Sequence, residues 1–462
     1  MGRRRLASLT FDEKLKSIVG AAHVRMAPAE RALYAYDATP MADLVMPDAV
    51  VLPASAEEVA ALLGLANELG MPVVPRGAGT NVTGGARPVQ GGLVISTQRM
   101  NKILNLDVNN LQAVVQPGVV TEDLQEAAEE VGLFYPPDPQ SAETCTVGGN
   151  LAENAGGPRA VKYGVTRHYV LALQAAMADG RLLRFGARTL KSVVGYDMTS
   201  LLVGSEGTLA FITEATLRLI PQPEARGTLL AVFSEVEQAA AAVASILQAG
   251  NLPAALEFVD QTALQVLPPD LGLPAEAAAL LVLEVDGSKT EVAASGARVA
   301  ACLKESGALR VDLTEDAGEA DRLWQARRAV GPALAKIAPL KINEDVVVPI
   351  SRLPDAVRRI RAIADSYSIR CAIFGHAGDG NLHVNFLLDQ GDQEGLLRVQ
   401  DAVAETFEVV VDLGGSISGE HGIGTAKQAF VGLELEPAVV DLMRAVKQVF
   451  DPKGIMNPGK IF

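Results

Sequence analysis

Cysteines, aromatic residues, histidines and positive charge are all scarce in this sequence, and each shortage excludes something. Its three cysteines, Cys145, Cys302 and Cys371, are odd in number and dispersed over 462 residues. They offer neither a disulfide framework nor a CxxC pair, and they cannot ligate an iron–sulfur cluster within this chain. A reducing cytoplasm is the expected compartment. The net charge of −15 excludes nucleic acid and anionic membrane surfaces as partners. No run reaches the roughly 20 apolar residues of a membrane span. Arg3, Arg4 and Arg5 stand near the start, but Asp12, Glu13 and Lys14 arrive where a signal peptide needs apolar residues. With aromatics at 4% and hydrophobic residues at 49%, the core must come from Ala, Leu and Val. Such a chain is globular, with two or three domains.

Of the five histidines, His376, His383 and His421 fall in two glycine-rich segments, FGHAGDGNLHVN at 374–385 and SGEHGIG at 418–424. Asp379-Gly380 predicts a two-residue type I′ hairpin turn. Partners across such a turn sum to 759, which opposes His376 and His383 with Cβ atoms about 4.5–5.5 Å apart. Glu420 adds an oxygen ligand. Two histidines and one carboxylate with open positions form a catalytic metal set, open to zinc, manganese or iron. His421 remains as a general base. A polar cross-strand pair is the ordinary reading of two hairpin histidines. The gathering of three out of five around glycine turns, with an adjacent Glu-His pair, outweighs it.

Residues 49–53 and 72–75 read as strands of a β–α–β unit. Ser55 and Glu58 form a capping box for the helix between them. Thr121 is expected to cap a helix to about residue 131, and 134–170 reads as a long functional loop. After Pro221-Gln-Pro223, strands at 228–233, 254–260, 279–286 and 310–313 alternate with helices at 236–249 and 289–306. That order predicts a ferredoxin-like antiparallel sheet with helices on one face. Strands at 340–349, 369–376 and 381–388 and a helix at 437–449 follow. The expected fold class is α+β. Residues 1–222 would form one domain, 223–420 a cap, and 421–462 a tail returning to the first domain.

Pro75 to Gly85 (PRGAGTNVTGG) follows a strand. It is not GxGxxG, because Val82 stands where the third glycine belongs, and no Gly-Lys-Ser/Thr makes it a Walker loop. It reads as a backbone nest for an anion such as a diphosphate. Pro136 to Gly157 adds a second stretch of small residues suited to a flat ligand.

These segments, with TVGGN at 146–150, GSEGT at 204–208, GHAGDGNLH at 375–383, GEHGIG at 419–424 and NPGK at 457–460, resemble the FAD-linked oxidases of the vanillyl-alcohol-oxidase type. The similar branch holds the glycolate oxidase FAD-binding subunit, D-lactate dehydrogenase and D-2-hydroxyglutarate dehydrogenase. The resemblance implies that Pro75, Arg76, Gly77, Ala78, Gly79, Thr80, Asn81, Thr83, Gly84 and Gly85 cradle the FAD diphosphate. It implies that Pro137, Asp138, Ser141, Thr146, Gly148, Gly149, Asn150, Ala152 and Asn154, with Tyr163 and Gly164, line the adenine side and the flavin. Glu206, Gly207, Ile212 and Asn457 complete the pocket. Thr80 stands where members with covalent FAD carry His, so non-covalent FAD is expected.

By the same resemblance His376, His383 and Glu420 hold the divalent metal and His421 takes the substrate's hydroxyl proton. Arg327 clamps the substrate carboxylate, with Lys341, Asn343 and Asn385 beside it. Gly331 replaces a threonine of the hydroxyglutarate enzymes, which weighs against the larger diacid. The expected activity is FAD-dependent oxidation of a D-2-hydroxy acid, D-lactate or glycolate, to the 2-oxo acid. Alternatives are D-2-hydroxyglutarate dehydrogenase, the FAD-binding subunit of a multi-subunit glycolate oxidase, and a metal-dependent hydrolase or oxygenase without flavin. Electrons would pass to an electron-transfer flavoprotein, an iron–sulfur subunit, a quinone or a cytochrome, the last steps bringing the protein to the inner membrane through a partner. A homodimer is compatible with the sequence.

Overall fold

The computed structural model describes residues 9–40 and 43–462, so the expectation about Arg3, Arg4 and Arg5 lies outside the described residues. The chain divides into two compact units. The first comprises Met1–Ala155, Val165–Gln222 and His421–Phe462; the second comprises Gly156–Gly164 and Pro223–Glu420. No described helix is long and apolar enough to cross a membrane.

In the first unit Ala49–Val51 and Val73–Arg76 both run parallel to Leu93–Ser96, which lies between them. The expected β–α–β pair is therefore split by an inserted strand. The connecting helix, Ala56–Leu69, starts where Ser55 Oγ accepts from Glu58 N, while the Glu58 carboxylate accepts from Ala54 N at 2.7 Å. Its apolar side joins Ala49, Leu93 and Ile95 of this sheet and Ala176 and Phe211 of a second, antiparallel five-stranded sheet in one core. Leu93, Ile95 and Phe211 each contribute about 1.5–3 kcal/mol on burial. The tail closes the same core. Val73 N donates to Ile455 O and Asn457 N to Val73 O, both at 2.7 Å, and Met456 is fully buried.

Two expectations about this unit fail for local reasons. Thr121 does not cap the helix Thr121–Glu129; Val120 holds that position without a side-chain bond. The Thr121 hydroxyl instead accepts from Asn150 Nδ2 at 2.6 Å. Residues 134–170 are not one long loop, because Thr146 Oγ1 caps a helix over Val147–Glu153.

The second unit is built on one seven-stranded sheet. Its elements are β1 (Ala225–Phe233), α1 (Val236–Gln248), β2 (Ala255–Asp260), β3 (Ala279–Gly287), α2 (Lys289–Glu305), β4 (Arg310–Thr314), α3 (Ala317–Ala333), β5 (Leu340–Val347), α4 (Leu353–Ser366), β6 (Arg370–Gly375), β7 (Asn381–Leu388) and α5 (Gln393–Asp412). The spatial order is β4-β1-β3-β2-β6-β7-β5, and every pairing is antiparallel. The first four strands with α1 and α2 make a complete ferredoxin-like β-α-β-β-α-β module. Strands β5, β6 and β7 with α4 and α5 repeat its first three strands and stop. The two modules join at β2 and β6.

Helices cover both faces, which corrects the expectation of one. Gly227 of β1 faces Val292 of α2. Leu230 and Val232, of opposite parity and so on the other face, share a core with Leu323, Trp324 and Val330 of α3. Strand β3 explains itself from this: buried on both sides, it reads as the continuous apolar run Ala279 to Leu283.

Candidate metal and cofactor sites

The α3-facing side of the sheet carries a polar cluster. The hairpin that bears it departs from the expected register. His383 pairs with Phe374, a sum of 757 rather than 759. The reversal is longer than two residues: Ala377–Asp379 form a 3₁₀ turn and Gly380 follows at φ +88°. A Cβ on Gly380 would collide with the Val348 carbonyl oxygen, so glycine is required there. His376 therefore leaves the ladder and its ring swings across. The two imidazoles meet edge to face with centroids 5.1 Å apart.

The outcome is three ligand atoms at nearly equal spacing. His376 Nε2 and His383 Nε2 are 3.4 Å apart, and Glu420 Oε1 lies 3.4 Å from the first and 3.5 Å from the second. A tetrahedral ion with bonds of about 2.0–2.1 Å needs ligand atoms about 3.3–3.4 Å apart. The triangle fits such an ion, and the spacing is long for direct hydrogen bonds. Burial opposes charge on His376, but the Glu257 and Glu420 carboxylates outweigh it and raise its pKa well above the ordinary value. A field that favours a bound proton also favours a cation at the same ring. Asp345 fixes the third ligand: its Oδ2 accepts from Gly419 N and Glu420 N at 2.8 Å, and its Oδ1 from Asn381 Nδ2 at 2.5 Å.

Glu257 of β2, absent from the sequence-derived site, stands behind the triangle. Its Oε1 lies 2.6 Å from His376 Nδ1 and its Oε2 2.5 Å from Arg327 Nη2. The arginine contact is an ion pair without hydrogen-bond alignment, since Arg327 Nε and Nη2 make no directed bond. Those two donors are the adjacent pair that grips a carboxylate side-on. The guanidinium also lies over the Phe374 ring at 4.8 Å. Burial works against the Glu257 carboxylate, but Arg327 and His376 reverse that and lower its pKa. Asn385 is fully buried and donates to the carbonyls of Ala372 and His383, leaving Oδ1 without a partner. Asn343, its cross-strand partner, also has an unpartnered Oδ1. Lys341 instead donates to the Gly331 carbonyl at 3.2 Å, and burial lowers its pKa.

The predicted FAD residues gather mostly in the first unit. Asn81 Oδ1 accepts from Gly85 N at 2.8 Å and Thr83 N at 2.9 Å, which holds the 77–85 loop as a cradle. Arg76 turns its buried guanidinium back onto Tyr34 and the Ala86 carbonyl, away from solvent. Gly148 lies against Pro117 too closely for any Cβ. Glu206, at φ +51°, accepts from Ile423 N and Gly424 N at 2.8 Å, and Asn457 donates to the Gly85 and Glu206 carbonyls. Thr83 Oγ1 donates to the His421 carbonyl at 3.1 Å, so His421 is anchored in this unit by its backbone. Glu153 was not foreseen. Burial, then the Glu206 and Asp37 carboxylates, raise its pKa, and its buried Oε2 has no hydrogen-bond partner. A buried acceptor left over beside a glycine cradle fits a polar cofactor. Tyr163 and Gly164 group with the second unit, where Tyr163 OH donates to Asp286 at 2.6 Å.

A two-unit α/β fold with a glycine cradle in one part and a His-His-Glu triangle in the other defines a flavoprotein class. The chain belongs to the FAD-linked oxidases. The family "FAD linked oxidases, C-terminal domain" matches residues 222–461, and "FAD binding domain" matches 47–186. FAD is its cofactor, and the fold is of the vanillyl-alcohol-oxidase type. The chain is 44% identical over 452 residues to "Glycolate oxidase subunit GlcD" of Bacillus subtilis, covering 97% of this chain and 96% of that one. It is 40% identical over 440 residues to "D-lactate dehydrogenase" of Archaeoglobus fulgidus, covering 93% and 95%. A solved structure of p-cresol methylhydroxylase superposes with a TM-score of 0.82 at 17% identity, covering 98% of both chains. That last likeness concerns the fold alone.

Proposed function

We propose that the protein is an FAD-dependent dehydrogenase of small D-2-hydroxy acids, D-lactate or glycolate, assisted by one divalent metal. The observation that carries this reading is the His376–His383–Glu420 triangle beside Arg327, whose Nε makes no hydrogen bond and whose Nη2 is only ion-paired with Glu257. FAD held at the 77–85 cradle would supply a two-electron acceptor for the substrate's hydride. His376, His383 and Glu420 would hold a divalent metal, which would supply Lewis acidity. Arg327 Nε and Nη2 grip the carboxylate. Asn343 and Asn385, paired across β5 and β7 with unpartnered carbonyl oxygens, line the same polar site. His421, next along the chain from Glu420, takes the hydroxyl proton at its ring nitrogen. Relatives named "Glycolate oxidase subunit GlcD" and "D-lactate dehydrogenase" support the substrate class. With no cysteine pair to hold a cluster, the chain hands its electrons to a partner: an iron–sulfur subunit, an electron-transfer flavoprotein, a quinone or a cytochrome. FAD family membership sets aside the flavin-free hydrolase.

Anaerobic addition of D-lactate or glycolate is expected to bleach the flavin bands, with L-lactate inert. A flavoprotein that stays yellow with every 2-hydroxy acid overturns the reading. FAD is held non-covalently: Thr80 stands where an imidazole would be needed for attachment, and Cys145 is buried with its thiol 3.2 Å from the Thr121 hydroxyl. Acid precipitation is expected to leave the colour in the supernatant; a yellow pellet contradicts this.

A further inference from the structure

We propose that Glu257 is a positioning residue that couples the metal site to the substrate carboxylate, one oxygen orienting His376 and the other holding Arg327. The inference rests on the metal reading of His376, His383 and Glu420. Three observations support it. The first is backbone register. The β2–β6 ladder ends at Phe258 paired with Gly375, so one further step along it sets Glu257 opposite His376. The carboxylate is thus aimed by the sheet. The second is tautomer. A carboxylate oxygen 2.6 Å from Nδ1 fixes the proton there and leaves the Nε2 lone pair for the triangle. The third is burial. Glu257 and Arg327 are 1% and 5% exposed. Glu257 sits between the apolar Leu256 and Phe258, so a purely structural position there would favour an aliphatic residue.

Sharing one carboxylate has a consequence. Any change that turns the Glu257 headgroup alters both His376 and the Nη2 donor of Arg327. Metal affinity and substrate affinity therefore move together through this residue, whereas Arg327 meets the substrate directly and reaches the metal site only through Glu257.

The experiment uses the FAD-loaded protein, with zinc affinity measured by chelator competition and KM measured with D-lactate. Glu257→Gln removes the charge and turns an amide donor toward either Arg327 or His376. Zinc affinity is expected to fall about 10- to 100-fold, with KM at least about 10-fold higher and FAD content unchanged. Arg327→Met is expected to raise KM by a similar factor while zinc affinity stays within about threefold. If Glu257→Gln alone fails to fold, the double variant Glu257→Gln/Arg327→Met, which buries no unpaired charge, carries the zinc measurement and should show the same loss. Wild-type zinc affinity in a folded Glu257→Gln or double variant overturns the proposal. So does an Arg327→Met variant that loses zinc as badly. A wild-type protein that binds no divalent metal overturns the triangle reading, and this inference with it.

Discussion

His376, His383 and Glu420 show how a site can be legible while its geometry is not. Counting histidines was enough to pick out the cluster, because scarcity made three of five in two short segments stand out. The register was misread because Asp379-Gly380 looks like a complete turn, whereas the chain spends Ala377–Asp379 on a 3₁₀ turn first. Glu257 was missed for a different reason. Its partners are 119 residues along the chain at His376 and 70 along at Arg327. No local period records such a pairing; the available signal was one acidic side chain between Leu256 and Phe258 in a strand buried throughout. Among individual residues, His421 carries the sharpest expectation. His421→Ala should reduce kcat on D-lactate about 100- to 10,000-fold with flavin content intact. Unchanged turnover would remove it from the proton-transfer role.

At the scale of elements, the strands of the second unit and its helices α1 and α2 were readable to within three residues, while α3, α4 and α5 were not placed. Alternating apolar strands and amphipathic helices have strong periods. The face covered by α3 was not foreseen, because the helix carries many charges and only Leu323, Trp324, Ala326, Arg327, Val330 and Gly331 are buried. The end of β2 makes a testable case. Asp260 caps the short helix Gln261–Leu264, accepting from Ala263 N at 2.9 Å, while its buried Oδ2 has no partner. Burial pushes its pKa from 3.8 up to about 6. The fold therefore prefers the protonated acid. Stability is unaffected below about pH 4 and declines as pH rises through 6, by about 3 kcal/mol once the group is ionised. Asp260→Asn keeps the cap and removes the charge. Its melting temperature should exceed that of the parent at pH 8 and match it near pH 4. Equal shifts at both pH values would show that ionisation is not the cause.

For the whole molecule, the residues proposed to hold the metal and the glycine cradle belong to different compact units. If the proposal holds, metal and FAD should be separable. Dialysis against a chelator is expected to abolish bleaching by D-lactate while FAD absorbance and content persist, and zinc or manganese should restore it. Simultaneous loss of flavin would contradict independent sites.

The fourfold passage of the chain between units, at residues 155/156, 164/165, 222/223 and 420/421, bears on how the protein is made. Residues 223–420 emerge from the ribosome as one uninterrupted block, and that sheet needs little from elsewhere to close. The other unit cannot. Its strand Val73–Arg76 waits for Ile455, Met456 and Asn457, which are translated almost 400 residues later. Early Gly-rich segments must remain unfinished while the later block folds, a natural client state for chaperones. Loss of Ile455, Met456 and Asn457 would strike the nascent flavin fold rather than a dispensable appendage.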